Sequence, residues 1–370
     1  MRMKMNLALL SVLLLAACSN ANDQVETNDT AETNNEESIP SDNNSTDEDI
    51  SILPVTDMNG ESFIPVASLM NELDGDYTYD EINKVLTVQL DNQTYEFIYE
   101  VPVVEANDIY LPLDSVYFEE DDNGEVYLTT AFLTDVLELS VEEEADQVSF
   151  AIAAEDREVW ESEDQDRIVL DETTPEEMID YLSFLQTPIE GATVSTIESH
   201  LPGAPRDYRN GFHEGIDWYD FSSGVEVTIN RDTPVLAMAD GVIVRIDNDY
   251  EEYPSPEVRN EDLAEAAELG FTPSYIFDRL RGMQVWVQYE DGVMIRFAHL
   301  DAIPEGFEVG DTVTSETVIG FVGNSGTSGA VNQDDSELHL HKDLLIYGEL
   351  FWEPYTLDET LHIIDTLWGL

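Results

Sequence analysis

Between residues 225 and 347 the sequence breaks into short β-prone runs: Val225 to Ile229, Pro234 to Met238, Gly241 to Ile246, Met283 to Tyr289, Val293 to Ala298, Val318 to Val322 and Leu338 to Tyr347. Tight turns such as Glu290-Asp291-Gly292 separate them, which predicts antiparallel hairpins and an all-β core. One stretch interrupts the series. Residues 250–281 read as helical, with Asn260 to Leu269 ending at Gly270 and Thr272-Pro273 starting a second helix. Lying between two strand runs, this stretch is expected to be an insertion on the rim of the sheet. It is either an embellishment or a wall of a substrate groove.

The last run carries the chemistry. In Leu338-His339-Leu340-His341 the two imidazoles are two residues apart, so a strand points both to one face while the leucines face a core. The pair suits either two satisfied core histidines or a metal site with one imidazole as ligand and the other beside it. Three further patterns precede it. His213 and Asp217 form H-x-x-x-D within Gly211-Phe212-His213-Glu214-Gly215-Ile216-Asp217. His299 ends an apolar run in Phe297-Ala298-His299-Leu300, and Gly323-Asn324-Ser325-Gly326-Thr327-Ser328-Gly329 is a flexible turn feeding the last strand.

Taken as an ordered set, these motifs resemble the lysostaphin/LytM-type zinc endopeptidases, which cut peptidoglycan peptides. The resemblance spans about Leu201 to Tyr355. It implies an open β-sandwich and one zinc ion per chain held by His213, Asp217 and His341, with a fourth position left for water. Zinc there would acidify that water and polarise the scissile carbonyl. His339 and His299 match the family's non-ligand pair. The resemblance makes His339 the general base, and His299 a stabiliser of the oxyanion or an aid to proton delivery to the leaving amine. Phe297 stands where the family commonly has Tyr, Lys342-Asp343 where it has an aromatic and Glu, and Val331 to Glu337 lengthen the preceding turn. These departures bear on substrate preference more than on catalysis. His200 and His362 match no motif and read as surface or packing residues. The expected function is a zinc metalloendopeptidase acting on peptidoglycan. The alternatives are a non-catalytic LytM-like binding or activator protein, which typically lacks metal ligands that this chain retains, and an endopeptidase acting on secreted proteins.

Residues 1–17 have a basic start at Arg2 and Lys4 and an apolar stretch from Leu7 to Leu15, too short for a membrane span. Leu15-Ala16-Ala17-Cys18 resembles a bacterial lipobox, which implies cleavage before Cys18, lipid on its sulfur, and an extracytoplasmic protein anchored to the bacterial membrane. Cys18 is the only cysteine, so a disulfide scaffold is excluded. The Asn-, Asp-, Glu- and Ser-rich segment to residue 50 is too polar to offset its ordering entropy and reads as a disordered tether.

Residues 51–154 hold an internal repeat. Gly60 to Val66 leads into Leu69 and Leu73 and then Lys84 to Val88, while Gly124 to Thr130 leads into Leu133 and Leu137 and then Gln147 to Phe150. Each copy reads strand, short helix, strand; Gln93 to Val104 and Ile109 to Leu113 read as further strands. This α+β segment resembles the small stalk domain first named from copper amine oxidases, and is expected to be a spacer or a wall-binding module. It contains no His or Cys, so a soft metal site is not expected there. Residues 155–200 read as a linker with one amphipathic helix, capped by Thr174-Pro175-Glu176-Glu177 and apolar at Met178, Tyr181, Leu182 and Leu185. The peptidase-like domain is then 201–370.

Charge narrows the partners. Fourteen Lys and Arg stand against 81 Asp and Glu, a formal net charge of −67. Such a chain repels nucleic acid and anionic membranes, so polyanion binding by the surface at large is not expected. High salt, high pH or compositional drift would each account for the acidity.

Overall fold

A computed structural model describes residues 50–151, 167–220 and 227–370. The leader, Cys18 and the acidic tether fall outside the described residues, as do Val225 and Glu226. The fold is mainly antiparallel β with a few helices, and residues Glu48 to Leu370 form one compact unit built on two large cores. Among the described residues no helix is long and apolar enough to cross a membrane.

The N-terminal core is organised by the repeat. The strand Glu61–Pro65 of the first copy pairs with Val126–Thr129 of the second, Ile64 opposite Leu128. The leucines behind each strand then fall on one core: Leu69 and Leu73 from the helix Val66–Leu73, Leu133 and Leu137 from the single wide turn Phe132–Val136 and its end. Between the copies, Asp76–Asp80, Val85–Leu90, Gln93–Ile98, Val101–Ala106 and Ile109–Leu111 form a five-stranded meander. Alternate residues such as Leu86, Val88 and Leu90 point inward, the period-two pattern of a half-buried strand.

The C-terminal core is larger. A seven-stranded sheet runs Ile216–Trp218, Leu340–Ile346, Val293–Ala298, Val285–Gln288, Gly241–Ile246, Thr312–Val313, with Glu349–Leu350 added beside Leu340–Ile346. A second sheet of Pro234–Leu236, Val318–Val322 and Leu300–Ala302 shares its core: Val235, Ile319 and Leu300 pack with Ile295, Val287 and Leu344. Residues 227–229 form no strand; the Ile229 amide donates instead to the Asp220 carboxylate at 2.8 Å. The helix Pro175–Leu182 carries the full capping box of Thr174 and Glu177. Its Met178 and Leu182 enter this core together with Leu185, Ile189 and Val194, so the core begins well before residue 200.

The seven-stranded sheet is buried on both faces. One face carries the C-terminal core. On the other, Val244, Trp286, Met294 and Leu345 pack against Val101, Val103 and Tyr110 of the meander. The Tyr110 ring stands edge-on to Trp286, centroids 5.3 Å apart, and its hydroxyl accepts from Arg296 at 3.0 Å. Double coverage explains why every residue of Leu340–Ile346 is buried, including the charged Lys342 and Asp343.

The insertion consists of the helices Pro256–Leu269 and Ser274–Arg281. The first starts four residues earlier than the sequence suggests, because Ser255 caps it through the Val258 amide and Pro256 occupies the first helical position. Its faces are so evenly charged that hydrophobic periodicity gives no warning of that start.

Candidate metal centre

Strand pairing brings the first two side chains together. Asp217 stands directly opposite His341, and opposed residues of an antiparallel pair point to one face. Gly215 makes the approach possible: a Cβ there would lie 2.3 Å from the Lys342 carbonyl oxygen and 2.6 Å from the His341 ring. His213 arrives from the preceding turn, its amide donating to Ala204 O and its carbonyl accepting from the Gly203 amide, each at 2.8 Å.

Three donor atoms then converge. His213 Nε2 lies 3.1 Å from Asp217 Oδ1 and 3.1 Å from His341 Nδ1, and His341 Nδ1 lies 2.9 Å from Asp217 Oδ1. All three residues are buried. Tetrahedral zinc with bonds of about 2.0–2.1 Å separates neighbouring donors by about 3.3 Å, so these atoms need part by only a few tenths of an ångström to hold the ion. The outer nitrogens are already committed. His213 Nδ1 donates to Leu201 O at 3.1 Å, and His341 Nε2 donates to Asp343 Oδ1 at 2.8 Å, which turns the remaining nitrogen of each ring toward the centre.

His299, His339 and His341 are a second trio close enough to share an ion. That trio has no anion, and its ring centroids stand 4.8 Å (His299–His339), 5.6 Å (His299–His341) and 6.4 Å (His339–His341) apart. A divalent cation is better matched by the set that includes Asp217. His339 and His299 flank this centre with fixed tautomers: His339 Nδ1 donates to Glu337 O and His299 Nδ1 to Ser325 O, both at 2.7 Å. Each therefore presents an Nε2 lone pair when neutral. His339 sits just outside the strand, in an isolated bridge to Gly323. His299 has φ +58°, a left-handed conformation unusual for a side chain of its size, where the chain passes from one sheet to the other.

Electrostatics separates the histidines. Burial lowers His341, but Asp343 and Asp217 outweigh it and hold the imidazole up at about 9. Burial dominates at His339, bringing it to about 4 against the pull of Asp217. It also holds His299 well below its ordinary value, with His339 and His341 adding to the effect. Burial would raise Asp217, yet His213 and His339 keep it well below the usual carboxylate range.

The sequence reading missed several parts of this site. Asp343 is fully buried and links His341 to Arg281, whose Nε donates to Asp343 Oδ2 at 2.7 Å. The Asp343 half of the Lys342-Asp343 departure thus touches the metal centre, through the orientation of His341, and the alternation His339, His341, Asp343 along the sequence was the available signal. Tyr219 stacks on His339, centroids 4.4 Å apart and planes 3° from parallel. His200, read as a surface or packing residue, is half-buried: it stacks on Tyr219 at 4.2 Å and lines the cleft. Nothing in its sequence neighbourhood pointed there. His362 is exposed on the helix Leu357–Trp368. The cleft over the centre has a volume of about 310 Å³, and Arg259, Phe277, Leu280 and Arg281 of the insertion form one of its walls.

No protein-family model and no curated protein matches the sequence. Among solved structures, similarity is found to the SpoIIQ–SpoIIIAH pore-forming complex (18% identity, 46% of this chain and 87% of that chain, TM-score 0.28). It is also found to LytU (18% identity, 49% and 94%, TM-score 0.28) and to the catalytic domain of lysostaphin from Staphylococcus simulans (18% identity, 45% and 86%, TM-score 0.26). At TM-scores this low, none of these likenesses carries an argument about the chain.

Proposed function

We propose that this protein is a zinc endopeptidase that hydrolyses peptide bonds of peptidoglycan outside the bacterial membrane, held there by lipid on Cys18. The observation that carries the reading is the convergence of His213 Nε2, Asp217 Oδ1 and His341 Nδ1 within 3.1 Å of one another, with the outer nitrogens of both rings already bonded. Bound zinc supplies Lewis-acid polarisation of a carbonyl and an acidified water. His339 offers the Nε2 lone pair that accepts the water's proton, its ring held flat against Tyr219. His299, with Nδ1 committed to Ser325 O, has only Nε2 available toward the cleft. That suits it to relaying to the leaving amine the proton that the water gives up, accepting it on Nε2 before donating it, rather than to donating a standing hydrogen bond to an oxyanion. Burial keeps both catalytic imidazoles neutral at neutral pH, ready to accept. The peptidoglycan substrate rests on the motif resemblance, and the anchor on the Leu15-Ala16-Ala17-Cys18 run.

The test is zinc content by elemental analysis together with zymography on purified peptidoglycan, with and without chelator. His341→Ala is expected to lose both metal and activity. His339→Ala and His299→Ala are expected to keep zinc and lose about 10²–10⁴-fold in rate. Wild-type hydrolysis in all three variants would remove the enzyme from this site.

A further inference from the structure

The cleft over the metal centre concentrates arginines in an otherwise acidic protein. Four of the chain's 14 basic side chains line it, Arg206, Arg209, Arg259 and Arg281, against the carboxylates of Glu214, Asp217 and Glu337. The chain as a whole carries 14 bases to 81 acids, whereas here four arginines meet four carboxylates once Asp343, bonded to Arg281, is counted. The arginines differ in what they already hold. Arg209 is paired with Glu214 at 2.6 Å, and Asp217 belongs to the metal centre. Arg206 donates to the Ser199 carbonyl at 2.5 Å and Arg259 through Nε to the Gly326 carbonyl at 2.9 Å; neither has a carboxylate partner among the described residues.

Arg281 is the most informative. Its side chain is only 7% exposed and its Nε is bonded to Asp343, while its guanidinium lies over the Phe277 ring at 3.5 Å. The two terminal nitrogens have no protein acceptor among the described residues, and neither is sealed from solvent. A nearly buried guanidinium with its outer edge unmatched in a cleft is preorganised for a planar anion. Arginine's fork binds carboxylates in a bidentate manner, and low-dielectric walls strengthen the attraction.

We propose that this cleft selects carboxylate-bearing peptides, with Arg281 gripping the carboxylate near the metal centre and Arg206 and Arg259 drawing acidic peptide in from the rim. The proposal rests on the peptidase reading for the identity of the ligand as a peptide. The carboxylate has two possible sources, an acidic side chain or a free C-terminus, and both present the same group to the arginines.

The experiment measures binding of three fluorescent pentapeptides to the full-length, zinc-loaded His339→Ala protein by anisotropy. One carries an internal Glu and an amidated C-terminus, one carries Gln and a free C-terminus, and one carries Gln and an amidated C-terminus. At least one acidic form is expected to bind about tenfold to a hundredfold tighter than the neutral form, and which one identifies the source. Arg281→Lys, which retains a cation beside Asp343 but loses the fork, is expected to cut that preference to under about threefold, as is the Arg206→Gln/Arg259→Gln pair. Equal binding of all three peptides, binding of none, or a preference that survives in both variants overturns the proposal. Hydrolysis by the wild-type protein separates the two readings. Equal kcat/KM on neutral and acidic peptides overturns the carboxylate clamp and leaves the peptidase standing. Carboxylate-selective binding without any cleavage does the reverse.

Discussion

His341 is held between two carboxylates, Asp217 on its inner nitrogen and Asp343 on its outer one. Asp343 is therefore expected to matter for the metal without touching it. Asp343→Asn keeps the shape and removes the charge, and should weaken zinc binding about 10–100-fold; an unchanged affinity by competition with a chelating indicator would show that Asp343 is only packing. The same carboxylates keep the metal-free imidazole at about 9, so at neutral pH it carries a proton that zinc must displace. Apparent affinity should rise about fifty-fold from pH 7 to pH 9 and level off above, as titrations over that range would reveal. The sign for folding is the opposite. A raised folded-state value stabilises the metal-free protein fully below about pH 6.5, and that contribution is lost as pH climbs through about 9.

At the scale of elements, the insertion reaches the site through its last turn. The helix Ser274–Arg281 delivers Arg281 to the cleft and stops at Gly282, whose φ of +70° and ψ of −149° suit only glycine. A Cβ at Gly282 would lie 2.3 Å from the carbonyl carbon of Ser325, the residue whose oxygen orients His299. Gly282→Ala should cost about 1–3 kcal/mol in unfolding free energy and lower turnover while zinc stays bound. Denaturant titration and elemental analysis check the two halves of that statement; a variant as stable and active as the wild type would mean the Ser325 loop yields freely.

Across the whole molecule, the meander and the seven-stranded sheet meet on the sheet face that also carries His341 and Asp343. Tyr110 reaches Arg296, and Arg296 is paired in register with Asp343. The N-terminal part is thus packed against the surroundings of the metal centre. Tyr110→Ala removes an aromatic ring packed on Trp286 and should destabilise by about 3–5 kcal/mol, splitting one calorimetric transition into two as the cores separate. A single, unshifted transition would mean that the contact adds nothing.

Much of this was legible in the sequence because local rules suffice for it. Short β-prone runs bounded by turns marked Gly241–Ile246, Val293–Ala298 and Val318–Val322 at their observed ends, and the Thr174 capping box marked the start of its helix. The repeat was readable too, because its apolar spacing is the same in both copies up to the final strand, which slips by one residue. The five candidate residues His213, Asp217, His299, His339 and His341 were found through ordered motifs, and the structure gathers them around one cleft. What no local pattern contains is register across the chain. Only the pairing of strands far apart in sequence sets Asp217 opposite His341 and Arg296 opposite Asp343. Only packing carries His200 beside Tyr219, and only the meeting of the insertion with residues 205–209 gathers arginines over the metal centre from a chain in which acids outnumber bases 81 to 14. Alternation and caps are properties of neighbours along the backbone, while the cleft's charge and the orientation of its ligands arise from long-range contacts that form when the sheets close on their cores.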